Sequence, residues 1–146
     1  MKKVKDILTT KADTETYSIT PTAKVWDAIK LMTEKGVGAL LVTDSDKLVG
    51  IVSERDYLRK VALMGRASQT TEVRDIMTQD PLTVTPDQDM ETCMELMTEK
   101  RIRHLPVVAE GKLLGMFSIR DLLENTLEEQ KHLIQQLEQY IRGETY

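Results

Sequence analysis

The chain has very little cysteine and no long apolar run, and each of these absences excludes a class of protein. A single cysteine, Cys93, excludes an internal disulfide and any zinc cluster built on cysteines. No apolar run approaches the roughly 18 residues of a membrane span, and Met1-Lys2-Lys3 leads into no signal-peptide core. The 20 basic and 24 acidic residues give a net charge of −4, which argues against nucleic acid as a partner. We therefore expect a soluble, cytoplasmic protein that binds neither nucleic acid nor membrane.

Residue patterns for catalysis or metal binding are also missing. The two histidines, His104 and His132, lie in different predicted elements and have no cysteine or carboxylate at metal-ligand spacing. The chain contains no GxGxxG, P-loop or GxSxG motif. Cys93 falls on an apolar helix stripe, which is typical of a core residue rather than a nucleophile. The sequence therefore predicts neither an enzyme nor a metal site.

What the chain does have is an internal repeat at an offset of 65 residues, which holds without a gap from residue 18 to residue 58 of the first copy. The matching segments are Thr20-Pro21 with Thr85-Pro86, Leu31-Met32-Thr33-Glu34-Lys35 with Leu96-Met97-Thr98-Glu99-Lys100, and Ser53-x-Arg55-Asp56 with Ser118-x-Arg120-Asp121. Two copies are too few for a solenoid, so we expect two halves packed face to face around a pseudo-two-fold axis. The expected boundaries are 4–62 for the first copy, 63–72 for an exposed linker, 73–127 for the second copy and 128–146 for a C-terminal helical extension.

Each copy is predicted to have the order β-α-β-β-α, which makes the fold α/β (α+β). Apolar residues at i, i+3, i+4 and i+7 predict one buried helix face per copy, formed by Val25, Ala28, Ile29 and Met32 and by Met90, Cys93, Met94 and Met97. The Thr-Pro pairs at 20–21 and 85–86 are expected to cap these helices.

Strands are predicted at 37–42 and 48–52 in the first copy and at 102–108 and 113–117 in the second, with polar turns between them. Short edge strands are expected at 17–20 and 82–85. Ser53 and Ser118 are expected N-caps of the helix that ends each copy. The second of these helices continues with an apolar seam, which needs a surface to cover it: Leu127, Leu133, Ile134, Leu137 and Ile141.

Three features are specific: the doubled Asp-Ile-(Leu/Met)-Thr starts, the doubled Ser-x-Arg-Asp ends and Arg103-His104-Leu105-Pro106-Val107. With these features the chain resembles the CBS-domain family, named for cystathionine β-synthase. The resemblance covers about residues 4 to 125 and implies a stand-alone tandem pair, that is, one Bateman module. Three further segments are similar to the single-pair CBS proteins of plant organelles and their bacterial relatives: Ser53-Glu54-Arg55-Asp56-Tyr57-Leu58-Arg59-Lys60, Gly65-Arg66-Ala67-Ser68 and Tyr140-Ile141-Arg142-Gly143.

Asp56 and Asp121 each lie three residues after a capping serine, where a helix begins at the end of a strand. A carboxylate in such a position can accept the hydroxyls of a ribose, as it does in dinucleotide-binding folds, and the resemblance implies that role for both. The alternative is that each aspartate only completes a capping arrangement. The hydroxyls of Ser53 and Ser118, with the free N–H groups of the first helical turn, can also bind phosphate.

Arg55 and Arg120 occupy the second helical position, where a cation gains nothing from the positive helix end, so their placement points to a phosphate. The resemblance implies that each arginine reaches across the pseudo-two-fold axis to the nucleotide held by the other copy's aspartate. It also implies that Arg103 and His104 bind phosphate, where the first copy has only small residues, so the two sites are expected to differ. The alternatives are exposed ion pairs for the arginines and a neutral, core position for His104.

The resemblance further implies an apolar slot for adenine in each copy. The residues in question are Tyr17, Ser18, Val37, Gly38 and Ile51 in the first copy and Leu82, Thr83, Ile102, Arg103 and Met116 in the second. The apolar members of this set would be equally at home in a core.

We therefore predict a non-enzymatic regulatory sensor in signal transduction. Its regulatory ligand would be an adenine nucleotide, AMP, ADP, ATP or NAD, held in the cleft between the two CBS motifs. We expect a homodimer that acts on an unidentified regulated protein. The alternative is a scaffold that binds no nucleotide and serves only for dimerisation or protein interaction.

Overall fold

The computed structural model of the chain describes residues 2–10 and 17–143. Parts of the predicted first copy (11–16) and of the predicted C-terminal extension (144–146) lie outside these described residues. In chain order the helices and strands are α1 (Val4–Thr10), β1 (Ser18–Ile19), α2 (Val25–Lys35), β2 (Ala39–Asp44), β3 (Lys47–Ser53), α3 (Glu54–Tyr57), β4 (Thr78–Gln79), α4 (Met90–Lys100), β5 (His104–Ala109), β6 (Lys112–Ser118) and α5 (Ile119–Ile141). A π-helical turn, Leu58–Ala62, continues α3, and a 3₁₀ turn, Val73–Asp75, precedes β4.

The predicted mixed α/β fold is confirmed, and both copies are built around the same antiparallel hairpin. In the first copy β2 pairs with β3, and the sheet is extended by β1, parallel to β2, and by β4, antiparallel to β3. In the second copy β5 pairs with β6. The register shifts at the same place in both hairpins, after Val42 and after Val107. The equivalent strands β3 and β6 contact each other, so the two sheets meet along matching strands of the repeat.

The strands differ from their predicted bounds by one or two residues, and one predicted strand does not form. Both hairpin turns use left-handed residues, Ser45 and Asp46 in the first copy and Glu110 and Gly111 in the second, which confirms the predicted polar turns. The predicted edge strand at 82–85 is wrong: only an isolated parallel bridge joins Val84 to Val107.

The predicted Thr-Pro caps are also wrong. Helix α2 begins at Val25 after Lys24, with no side-chain cap, because the linker supplies the acceptors. The N–H of Val25 donates to the carbonyl of Thr71 at 2.8 Å, and the N–H of Trp26 donates to that of Ser68 at 3.0 Å. The linker is therefore not simply exposed, since Thr71 is buried and its backbone completes the start of a helix.

Ser53 and Ser118 cap the helices that end the two copies, as predicted. In each case the serine hydroxyl accepts from the backbone N–H three residues on, while the aspartate at that position accepts from the serine N–H. The first helix is short and continues as the π-helical turn, whereas α5 runs for 23 residues. The same local signal therefore starts two helices of very different length.

Each hydrophobic core is completed by the leading segment of the other copy. Val73 and Ile76 are buried with α2 and β2 of the first copy, and Val4 and Ile7 are buried with α4, β5 and β6 of the second. Backbone hydrogen bonds fix the exchange: the N–H of Val73 donates to the carbonyl of Ala23 at 2.9 Å, and that of Val4 to the carbonyl of Gln88 at 3.0 Å. The two copies are thus interlocked.

One predicted core position is exposed, and one predicted apolar seam has no covering surface among the described residues. Met94 lies off the buried face of α4 and is 43% exposed, so its assignment to the core is wrong. The predicted seam of α5 is uncovered in the single chain, as are Leu123 and Tyr140. Within residues 2–10 and 17–143, none of the helices has the length and apolar character needed to cross a membrane.

Candidate functional site

A cleft of about 970 Å³ lies between the two copies. One wall is the start of α5 with the adjoining ends of β5 and β6, and the opposite wall is the segment around Tyr17 and the residues that follow α2. Lys2 and Ile7 of the N-terminal segment close one side. Its size is at the upper end of what small-molecule sites in proteins occupy.

The start of α5 presents Asp121 to this cleft. The Asp121 carboxylate accepts a hydrogen bond from the Ser118 N–H at 2.8 Å and one from the Ser118 hydroxyl at 3.3 Å. Ile119 begins the helix at a fixed point, because its N–H donates to the carbonyl of Arg103 at 2.8 Å. These bonds hold an acidic side chain at the positive end of a long helix, where the dipole also favours an incoming anion.

Cationic side chains outnumber carboxylates around the cleft. Its lining includes five lysines or arginines and three carboxylates: Lys2, Lys35, Arg103, Arg120 and Lys131 against Asp121, Glu124 and Glu128. Arg120 is exposed and pairs with Glu124 on its own helix, Nε to Oε1 at 3.1 Å, which is the alternative that the sequence left open. The cleft therefore has an excess of positive charge in a chain whose net charge is −4, and such a field attracts an anionic ligand.

The wall from the first copy is mainly apolar, and a backbone hydrogen bond from β2 fixes the position of Tyr17 in it. The carbonyl of Tyr17 accepts from the N–H of Leu41 at 3.1 Å, and the Lys35 ammonium lies 5.4 Å from the centre of the Tyr17 ring. Val37 and Gly38 follow, and a Cβ added at Gly38 would meet Glu54 and His104 only at 3.8–3.9 Å. The ring and these small residues form a surface on which a flat base could lie.

The equivalent carboxylate of the first copy lies elsewhere. Asp56 makes the same bonds to Ser53, 2.9 Å to its N–H and 3.1 Å to its hydroxyl, but its second oxygen is 3.4 Å from the Lys60 ammonium. Arg55 does cross to the other copy, where its guanidinium donates to the carbonyl of Arg101 at 3.5 Å.

The cleft contains about half of the residues that the sequence singled out, and the role of every one of them stays a prediction. The predicted residues that line it are Asp121, Arg103, His104, Ser118, Arg120, Tyr17, Val37, Gly38 and Met116. Those outside its lining are Asp56, Ser53, Arg55, Ser18, Ile51, Leu82, Thr83 and Ile102. Arg120 thus shares a cleft with the aspartate of its own helix, whereas the resemblance implied a partner across the axis.

The sequence reasoning missed Lys2, Lys35, Asn125 and Lys131. Nothing in the sequence signals the first two, because they reach the cleft only through the packing of the N-terminal segment and the end of α2. Asn125 could have been found by comparing the copies, since the offset of 65 residues aligns it with Lys60.

Cys93 lies in the core of the second copy and not at the cleft. Burial, with a smaller contribution from the nearby Asp89 carboxylate, raises the pKa of its thiol to about 11. A thiol with that pKa is protonated at neutral pH and is a poor nucleophile. Among the described residues, no group of three or more His, Cys, Asp or Glu side chains could hold a metal ion.

Each copy of the repeat matches the same family of known proteins. The sequence model described as the CBS domain matches residues 4–63 and again residues 73–128. The mitochondrial CBS domain-containing protein CBSX3 of Arabidopsis thaliana is 44% identical over 124 residues, which are 82% of this chain and 60% of that protein. The chain therefore spans less than two thirds of the length of this curated relative.

Solved structures agree with the sequence match. A protein with CBS domains from Burkholderia ambifaria is 51% identical, with a TM-score of 0.85 over 88% of this chain and 96% of that chain. A CBS-domain protein from Pyrobaculum aerophilum, whose structure was solved in complex with AMP, is 29% identical, with a TM-score of 0.73 over 82% of this chain and 89% of that chain.

Proposed function

We propose a function from one premise: the chain belongs to the CBS-domain family. Within that family, we infer that it is a regulatory module whose cleft binds an adenine nucleotide without transforming it. AMP, ADP, ATP and NAD share the adenosine that such a cleft would recognise. The bound nucleotide is therefore a regulatory ligand and not a catalytic cofactor.

One observation carries this proposal: a carboxylate, a helix start and several cations of the second copy face an apolar wall of the first copy across a single cleft. A nucleotide needs these three surfaces together. A carboxylate accepts from ribose hydroxyls, cations and backbone N–H groups bind phosphate, and an apolar slot holds the base. The AMP complex of the Pyrobaculum aerophilum protein supports adenosine as the ligand class.

The proposed roles follow from position in the cleft. Asp121 would accept from the ribose, while Ser118, Arg103 and the α5 start would bind phosphate. The base would lie against Tyr17. Arg120 would have to exchange its exposed pair with Glu124 for the phosphate, which costs little because such surface pairs contribute about 0–1 kcal/mol.

The regulatory output would be a change in how the module meets another protein or a second copy of itself. Ligand binding can shift that equilibrium only if the two states bind the nucleotide with different affinity. The copies are interlocked through their leading segments, so a ligand that contacts both walls would act on both cores at once. The existence of a regulated protein remains a prediction. The cytoplasmic localisation also remains a prediction, and the Arabidopsis relative is mitochondrial by name.

Calorimetry with AMP, ATP and NAD tests the proposal directly. We expect at least one of them to bind and to raise the midpoint of thermal unfolding. Replacing both Asp56 and Asp121 by Asn should abolish binding, because these are the two carboxylates in the ribose position. Asp75→Asn is the matched control, since Asp75 occupies a similar capping position away from the cleft.

If none of the three nucleotides gives heat or a thermal shift, the sensor function is wrong. The second candidate, a scaffold used for dimerisation or protein interaction, would then account for the chain. One observation favours it independently of any ligand: the exposed apolar face of α5. Loss of ATP over time in the presence of pure protein would instead contradict the non-enzymatic assignment.

A further inference from the structure

We propose that the cleft contains a second subsite, farther along α5 than the part that binds phosphate, for an uncharged group that is attached to the nucleotide and carries hydrogen-bond donors. This inference rests on the proposed nucleotide function and names its ligand class: a dinucleotide of the NAD type, whose second nucleoside carries such donors. The subsite is centred on Asn125, a residue to which the sequence gave no role.

The cleft extends along α5 well beyond the helix start. Its lining includes Asp121, Asn125, Glu128 and Lys131, which follow one another at helical spacing and therefore lie on one face of the helix. With a rise of 1.5 Å per residue, Lys131 lies about 15 Å from Asp121 along the helix axis. Asp121 is thus at one end of this stripe, and the rest of the stripe has room for a further part of the ligand.

The N-terminal segment forms the wall that faces this stripe. Lys2 and Ile7 line the cleft, and the carbonyl of Lys2 accepts from the N–H of Met90 at 3.2 Å. The Lys2 ammonium also lies 3.4 Å from the Glu129 carboxylate of α5. Because this wall is tied both to α4 and to α5, the subsite exists before a ligand binds.

The charge of the cleft changes along its length. Cations are in excess at the α5 start and on the wall opposite it, and they are balanced by carboxylates farther along. The first group consists of Lys35, Arg103 and Arg120 with Asp121, and the second of Lys2 and Lys131 with Glu124 and Glu128. Phosphates therefore fit the first part, whereas a third phosphate in the second part would meet two carboxylates. An uncharged nucleoside would meet no such repulsion.

Asn125 supplies an acceptor in this second part. In the described ranges, 2–10 and 17–143, its Oδ1 is the one buried side-chain oxygen or nitrogen without a hydrogen-bond partner, which is unfavourable. Because no described residue holds Oδ1 and the terminal amide torsion of asparagine is soft, the amide can turn to a donor in the cleft. An ionised phosphate has no donor to offer, whereas a ribose hydroxyl or a carboxamide N–H does.

Calorimetric titration of the intact chain with AMP, ADP, ATP and NAD tests the ligand class. We expect NAD to bind about tenfold or more tightly than ADP, which carries the same two phosphates without the second nucleoside. ATP should bind no more tightly than ADP, because its third phosphate would approach Glu124 and Glu128. This comparison uses only the native chain and so does not depend on any variant folding.

Replacement of Asn125 then tests the subsite itself. Asn125→Leu removes the acceptor and keeps a side chain of similar size, so it should weaken NAD binding by about three- to tenfold and leave AMP binding unchanged. Without ligand, the variant should unfold at no lower temperature than the native chain, because it removes a buried acceptor that has no partner. Gln130→Leu, the same kind of change on α5 outside the cleft lining, is the control.

The outcomes separate this inference from the proposed function. NAD binding no tighter than ADP binding, or ATP binding tighter than NAD binding, would overturn the subsite and leave the nucleotide function standing. An Asn125→Leu chain that binds NAD as the native chain does, or that loses AMP and NAD affinity equally, would also overturn it. Absence of binding by all four nucleotides would instead remove the function on which the inference rests.

Discussion

The residue after α4 is an arginine in a backbone conformation that favours glycine. Arg101 ends the helix with φ 55° and ψ 42°, the left-handed region, and its N–H donates back to Met97. In the first copy the equivalent residue is Gly36, with φ 66° and ψ 34°. A side chain in this region is strained by contact between its Cβ and the backbone.

We therefore expect Arg101→Gly to raise the free energy of unfolding by about 1 kcal/mol, because it removes that strain. The bond from Arg55 is kept, since it uses the carbonyl of residue 101. Gly36→Ala should lower the free energy of unfolding by a similar amount. The added Cβ would meet nothing within 4 Å, so the change in stability would report backbone strain and not a steric clash. Urea denaturation measures both.

An Arg101→Gly chain that is less stable than the native one would contradict this account. It would mean that the arginine side chain makes a contribution greater than the backbone strain it causes.

Residue-scale predictions from the sequence succeeded where the partners are close in sequence. Ser53 with Asp56 and Ser118 with Asp121 form the expected capping bonds within three residues. The same sequence could not predict that Lys60 would bind the carbonyl of Ile76, because that atom comes from the other copy's leading segment. The asymmetry between the two aspartates is therefore a tertiary property.

The residue at which each helix begins depends on which groups accept hydrogen bonds from the N–H groups of its first turn. The helices after β3 and β6 begin where Ser-x-x-Asp predicts, because the cap is part of the same segment. Helix α2 begins later than predicted, because the carbonyls of Thr71 and Ser68 arrive from the linker. Local sequence could not reveal that, since those residues lie more than 40 positions away.

Helix α5 has an exposed apolar face with seven-residue spacing that runs to its C-terminal end. Leu127, Ile134 and Ile141 recur at this interval, and Leu123 and Leu137 lie beside them, all more than half exposed. Spacing of this kind is typical of helices that pair along a seam. We expect a second copy of the chain to cover this face, in keeping with the predicted homodimer.

Replacing Ile134 and Leu137 together by Glu should convert the dimer to a monomer, because two charges would be buried in an apolar seam. Sedimentation equilibrium at micromolar concentration measures the change. Gln135→Glu with Gln139→Glu adds the same charge to the same turns outside the seam and should leave the dimer intact. A native chain that is already monomeric, or a dimer unaffected by the seam variant, would contradict the prediction.

At the scale of the whole molecule, the boundary between the two sequence repeats does not coincide with the boundary between the two hydrophobic cores. The repeat divides the chain near residue 72, but Val73 and Ile76 belong to the first core, and Val4 and Ile7 belong to the second. Each core therefore depends on residues from both copies.

A fragment of residues 17–81, which keeps the exchanged segment, should be more stable than a fragment of residues 1–71, which follows the repeat. Fragment 1–71 lacks Val73, Ile76 and β4. Loss of two large buried apolar side chains lowers the free energy of unfolding by about 4 kcal/mol or more. We expect fragment 1–71 to show no cooperative thermal transition by circular dichroism. Equal stability of the two fragments would show that the exchange contributes little to the fold.

The sequence by itself determined the duplication, the long helix and the strand hairpin of each copy, the hairpin turns and the capped starts of α3 and α5. These features depend on periodicity and on partners a few residues apart, so each segment carries its own signal. Only the tertiary structure decided which leading segment closes which core, what completes the start of α2, and which aspartate faces the cleft. Those outcomes depend on apolar surfaces and hydrogen-bond partners that are distant in sequence and become neighbours only when the two copies interlock.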